Sequence, residues 1–143
     1  MTTASGAPGC GLVWPLRLHP GDDLCTALQA AVAAQGMSAA FVLAGVGSLR
    51  PAFVRLAGAD AALRLDGDVE LLSLSGTIAA DGVHLHLSVA DAAGRVIGGH
   101  AAPGCIVRTT AEVLLALLPG WDFRREPDAG TGWAELAIRR RGG

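Results

Sequence analysis

The chain has no lysine and no tyrosine, and only three cysteines, three phenylalanines and three tryptophans in 143 residues. Its eleven basic residues are all arginines, set against thirteen acids for a formal net charge of −2. A protein that holds nucleic acid mainly through phosphates needs a basic surplus, which this balance lacks. Cys10, Cys25 and Cys105 are widely spaced and contain no Cys-x-x-Cys pair, so neither a disulfide framework nor a zinc ribbon is indicated. Cys105 stands among apolar neighbours and reads as a small buried hydrophobe. No uninterrupted apolar run approaches the roughly 18 residues of a membrane span. The opening MTTASGAPGCG has neither the basic region nor the apolar core of a signal peptide. These absences predict a soluble, cytoplasmic protein with no membrane partner. The apolar fraction of 51% suffices for a core, and the length predicts one domain. Residues 1–11 read as a flexible N-terminus, 12–139 as the folded unit and 140–143 as a short basic tail. Arg139-Arg140-Arg141, the only basic run, reads as solvated.

What the chain does have is a cluster of histidines. Residues 81 to 112 hold three of the four. His84-Leu85-His86-Leu87-Ser88-Val89-Ala90 alternates with period two, which predicts a strand with His84, His86 and Ser88 on one face. Asp91-Ala92-Ala93-Gly94 has Asp at the first and Gly at the fourth turn position. A left-handed Gly94 forming a bulge closes a three-residue loop in which Asp91 faces Arg95. Counting back, Val96 faces Ala90, Gly98 faces Ser88 and His100 faces His86. All three histidines then share a face, with paired β-carbons roughly 5 Å apart. Gly98 and Gly99 leave room beside them. A slip of one residue would dissolve the cluster.

Other segments set the architecture. Leu12 to Leu18 predicts a first strand, which Pro15 assigns to an edge. After the turn His19-Pro20-Gly21, Asp22 is expected to cap a helix running to about Gln35 and stopped by Gly36, with Leu24, Leu28, Ala31 and Val32 as its apolar stripe. His19 stands apart and reads as surface. Residues 39–48 predict a buried strand ending in a tight glycine turn at Gly45-Val46-Gly47. Arg50 occupies the place of the third glycine of a dinucleotide fingerprint, so no nucleotide loop is indicated. Short strands follow at Phe53 to Ala57 and, after the turn Asp66-Gly67, at Val69 to Ile78. In the latter, Glu70, Leu72, Leu74 and Gly76 share one face, and Leu71, Ser73, Ser75 and Thr77 the other. Cys105 to Arg108 is extended. Thr109-Thr110-Ala111-Glu112 has the form of a capping box that starts a second helix reaching Leu118. Phe123 to Arg125 and Trp133 to Arg139 predict two last strands joined by loop 126–132. The expected class is α+β, a central and largely antiparallel sheet with two short helices.

Several stretches together resemble the plants-and-prokaryotes-conserved (PPC) domain: RLHPGDDL, AAFVLAGVGSL, ELLSLSGT, GVHLHLSVADAAGRVIGGH, GCIVRTTAEV and TGWAEL, in order over residues 17 to 136. The resemblance is to the bacterial stand-alone members, which are often labelled DNA-binding. It implies an α+β fold assembled as a homotrimer, and a DNA or transcription-associated partner. Plant members carry AT-hooks of the form Arg-Gly-Arg-Pro, which this chain lacks, as it does the aromatic that plant members tend to have where Val69 stands. The inherited DNA label therefore fits it poorly. A more distant likeness is to acetolactate decarboxylase, which binds zinc through a His-x-His pair and a third histidine. That arrangement matches His84, His86 and His100; the enzyme's catalytic glutamate and arginine have no evident counterpart.

Three neutral imidazoles on one face suit Zn²⁺ with an open fourth position, and Ser88 with Glu70 or Glu112 would supply outer hydrogen bonds. Three classes of function follow. One is a trimeric module associated with DNA. The others are a zinc-dependent lyase or hydrolase acting on a small carbonyl or carboxylate substrate, and a small-molecule sensor. In the bland alternative the histidines bond to one another and to backbone across a trimer interface. A leucine-rich sheet with more apolar surface than short helices can cover also predicts a trimer.

Overall fold

The structure, a computed structural model, describes residues 12–142. The expectations placed on residues 1–11, Cys10 included, and on Gly143 lie outside the described residues. In chain order the elements are β1 (Leu12–Leu18), α1 (Leu24–Ala34), β2 (Ala39–Leu49), β3 (Ala52–Arg55), β4 (Leu63–Leu65), β5 (Val69–Ala79), β6 (Gly82–Ala90), β7 (Val96–Ala101), β8 (Val107–Leu117), β9 (Trp121–Pro127) and β10 (Ala134–Arg140). Eight strands form one sheet in the order β1-β8-β2-β5-β6-β7-β3-β4, and every pairing given between them is antiparallel. β9 and β10 make a separate two-stranded ribbon. The α+β class and the edge position of β1 are as expected.

One face of the sheet carries the core. Leu74, Leu85, Leu87 and Val89 from β5 and β6, with Val113, Leu115 and Leu117 from β8, are buried there with Leu24, Leu28 and Val32 of α1. The helix cap is Asp23 rather than Asp22: its Oδ1 accepts from the Thr26 N–H at 3.0 Å and its Oδ2 from Gly104 N–H at 2.6 Å. Asp22 instead closes the preceding turn, accepting from the His19 N–H at 2.8 Å. His19 is exposed, as expected.

The expected second helix is a strand. Residues 107–117 form β8, hydrogen-bonded to β1 on one side and β2 on the other. Ala111, Val113, Leu115 and Leu117 point inward while Glu112 and its alternating neighbours point outward. Val107, Thr109, Thr110 and Val113 are β-branched and favour that pleat, and ladders on both flanks satisfy backbone groups that a capped helix would satisfy internally. Thr109 caps nothing; its hydroxyl lies 2.6 Å from that of Ser48 across the sheet. The expected glycine turn at 45–47 is also absent, because β2 runs through it. Irregularities between Val42 and Ala44 and between Gly47 and Leu49 bend the strand, and a Cβ at Gly47 would strike the Thr110 carbonyl oxygen. A further irregularity between Leu71 and Ser73 resets the faces of β5, so Leu71 and Leu74 are both buried and Leu72 is out. Sequence pattern assumed an unbroken alternation there. Short β4 was not expected.

Candidate metal site

The hairpin that carries the histidines forms as read. Gly94 has φ 78° and donates to the Asp91 carbonyl at 2.9 Å, and the Asp91 N–H donates to Arg95 O at 3.0 Å. The Asp91 carboxylate accepts from the N–H groups of Ala93 and Arg95, both at 2.9 Å, and from Arg95 Nε at 2.8 Å. The Arg95 backbone bond, first among several, holds the Asp91 carboxyl below the usual carboxylate range. That closure fixes Ala90 opposite Val96, Ser88 opposite Gly98 and His86 opposite His100.

The face away from the core can be followed row by row. Val13, Ala116, Phe41, Thr77 and His84 are successive partners across β1, β8, β2, β5 and β6. The next row runs Ser75, His86, His100 and Arg55 across β5, β6, β7 and β3. Directly opposed residues point to the same side. Three imidazoles therefore meet on a face flanked by hydroxyls and an arginine. The β9–β10 ribbon packs on this side, with Phe123 edge-on to Phe41 at 5.8 Å between centroids.

His84 Nε2 and His86 Nε2 are 3.1 Å apart, and one nitrogen from each of the three rings falls within 4.8 Å of the others. A four-coordinate ion with Zn–N bonds near 2.0–2.1 Å needs nitrogens about 3.3 Å apart, so small side-chain rotations would complete the set. His100 Nδ1 is buried and has no hydrogen-bond partner among the described residues. An ion would satisfy it. Burial first, then the neighbouring His86, holds His84 below its ordinary value. For His100 burial comes first and Arg55 second. Both effects favour the neutral imidazole that metals require. The trio could hold a metal ion.

The expected outer groups fare differently. Ser88 shares the face, but its hydroxyl bonds that of Ser73 at 2.6 Å. Glu112 sits on β8, separated from β6 by β2 and β5, so it does not reach the histidines. Glu70 pairs with Ala90 at the far end of β6, and the Leu71–Ser73 irregularity lies between it and the histidine row. Both glutamates line a different depression, with Ser48, Arg108 and Thr110. Sequence reasoning missed Arg55, which reaches the site through the β3–β7 pairing, and Arg125, which comes from the ribbon. No local spacing signals either.

The profile of the Plants and Prokaryotes Conserved domain matches residues 6–119. The chain belongs to that family. A relative from Synechococcus sp. (strain JA-2-3B'a(2-13)), named bifunctional protein GlmU, is 48% identical over 132 residues, which is 92% of this chain and 21% of the relative. The chain thus spans about a fifth of the length of the curated relatives it matches. A structure from Salmonella, called a hypothetical protein, superposes with a TM-score of 0.87 at 40% identity, covering 94% of this chain and 98% of that one. At 24% identity, a structure from Archaeoglobus fulgidus called a metal-containing protein shares the PPC fold, with a TM-score of 0.70 over 96% of this chain and 99% of its own. A protein from Ralstonia eutropha JMP134, named for a suspected DNA-binding role, shares it at 23% identity and TM-score 0.72, over 87% and 90% of the two chains. The last two establish the fold alone. The three arginines at the end of this PPC chain each have partners: Arg139 grips Glu126 through two bonds of 2.6 and 2.8 Å, Arg140 stacks on Trp121, and Arg141 donates to Gly36 O at 3.2 Å.

Proposed function

We propose that this PPC domain works through a zinc ion held by His84, His86 and His100, with one position left open to water or a small ligand. The observation that supports this most is the convergence of three imidazole nitrogens, one from each ring, within 4.8 Å on one sheet face. The chain's part is to hold His84 and His100 neutral, to orient all three rings by strand register and to keep one side accessible, since His86 is exposed. When bound, zinc would lower the pKa of a water on it to about 7 and polarise a carbonyl oxygen, which suits hydrolytic or lyase chemistry as well as ligand sensing. A competitive zinc titration tests the reading. It expects about one zinc per chain for the native protein, and binding weakened by about 10- to 100-fold or more in His86→Ala and His100→Ala. Equal affinity in all three proteins would sink it.

The same reading includes a homotrimer. Val13, Phe41 and Val46 are 59%, 39% and 50% exposed on the face that also carries the histidines, and Leu43 and Leu72 are exposed as well. Neighbouring copies would cover this apolar surface. Light scattering should return three times the 14.4 kDa chain mass; a single-chain mass would refute this part. No helix among the described residues is long and apolar enough to cross a membrane. Direct grip on DNA is disfavoured by the net charge of −2, and duplex binding that weakens steeply with salt would reverse that judgement.

A further inference from the structure

Two guanidinium groups stand beside the histidines, and neither has a full partner. Arg55 lies directly across from His100 on β3 and makes no ion pair among the described residues. Arg125 comes from the ribbon. Gly82 is two residues before His84 on the same strand and so faces the same way. A Cβ built on Gly82 would lie 3.4 Å from Arg125 Cγ, which places the arginine stem on the histidine face. Arg125 Nη2 donates to Ala134 O at 2.6 Å, while Nη1 is buried with no partner among the described residues. Its nearest acid, Glu135, is 3.9 Å away, beyond hydrogen-bond distance.

The charges do not balance without a guest. Glu135 is the one carboxylate within 4 Å of either guanidinium group among the described residues, since Asp81 accepts from the Arg125 backbone N–H at 2.9 Å, and a divalent ion would leave the site poorer still in negative charge. A buried, unpaired donor on a cation is costly unless something accepts from it. Guanidinium forks match the two oxygens of a carboxylate.

We infer that Arg55 and Arg125 form the anion-binding half of the histidine site and select a small carboxylate. The inference rests on the zinc reading only for the ion beside which the carboxylate would sit; the contacts with the arginines do not need the metal.

The test uses malonate as the carboxylate probe, with neutral malonamide as control, followed through the imidazole nitrogen resonances of the intact protein. Zinc-loaded and metal-free samples are titrated, and metal content is measured after each. Malonate should bind saturably and malonamide should not. Arg55→Gln and Arg125→Gln should each weaken malonate about tenfold or more while zinc is retained. The Arg55 side chain makes no hydrogen bond or ion pair among the described residues, so its variant stays informative if Arg125→Gln fails to fold; Arg125→Lys, with the charge but not the fork, gives a further check. Saturable malonate binding that ignores both arginines overturns the inference, as does equal binding of malonamide or no saturable binding. Arginine-dependent binding to a protein that takes no zinc would uphold the inference while ending the zinc reading. Retained zinc without arginine-dependent binding would do the reverse.

Discussion

His100 lies directly opposite His86 on the neighbouring strand, a register closed by the Asp91–Arg95 turn in which Gly94 takes the left-handed position. Its φ of 78° belongs to the left-handed region, where an L side chain costs roughly 1–2 kcal/mol. No atom lies within 4 Å of a Cβ added there, so the cost of replacement is conformational alone. Gly94→Ala should therefore lower stability by about 1–2 kcal/mol in urea unfolding. It should leave zinc affinity nearly unchanged once folded, because the other turn bonds still fix the pairing. Unchanged stability would show that the bulge does not need glycine.

Leu115 and Glu112 together test the strand assignment of β8. Leu115 is fully buried in the core, whereas Glu112 points away from it. Leu115→Ala should cost about 2–5 kcal/mol. Glu112→Ala should stay within about 0.5 kcal/mol of the native protein, as an exposed strand residue would. Removal of a capping glutamate would instead cost about 1 kcal/mol. Denaturant midpoints of the two variants decide between these outcomes.

How far the sequence could be read depended on how local the information was. The histidine hairpin was legible because alternation, Asp91 and Gly94 act within twenty residues. The helix α1 was legible too, except that two adjacent aspartates competed for its cap. The segment 107–117 was not, since Thr109-Thr110-Ala111-Glu112 satisfies a local helix-start pattern and its true partners, β1 and β2, lie far off in the chain. The irregularity in β5 left no mark in composition. Arg55 and Arg125 were invisible as site residues for the same reason: each arrives through a pairing between distant segments. Local pattern revealed the three histidines, while tertiary topology supplied the groups around them.

The pH response of the metal-free protein follows from the imidazoles. His84 and His100 are held below the ordinary value of 6.5, chiefly by burial. Between those lowered values and about 6.5 the unfolded chain binds protons that the folded chain does not. The stability this difference provides is complete above about pH 6.5 and is lost as pH falls through the folded values. Urea midpoints of metal-free protein should drop from pH 7.5 to pH 5. The decline should be shallower in a variant with both His84→Gln and His100→Gln. An equal decline in both proteins would assign the effect to other groups.

The central claim is that three imidazoles form a zinc site, and elemental analysis of protein purified without added metal or chelator addresses it most directly. The account predicts about one zinc per chain in the native protein and only traces in His86→Ala prepared identically. A native protein that carries no zinc, and takes up none on dialysis against zinc chloride at neutral pH, would contradict it.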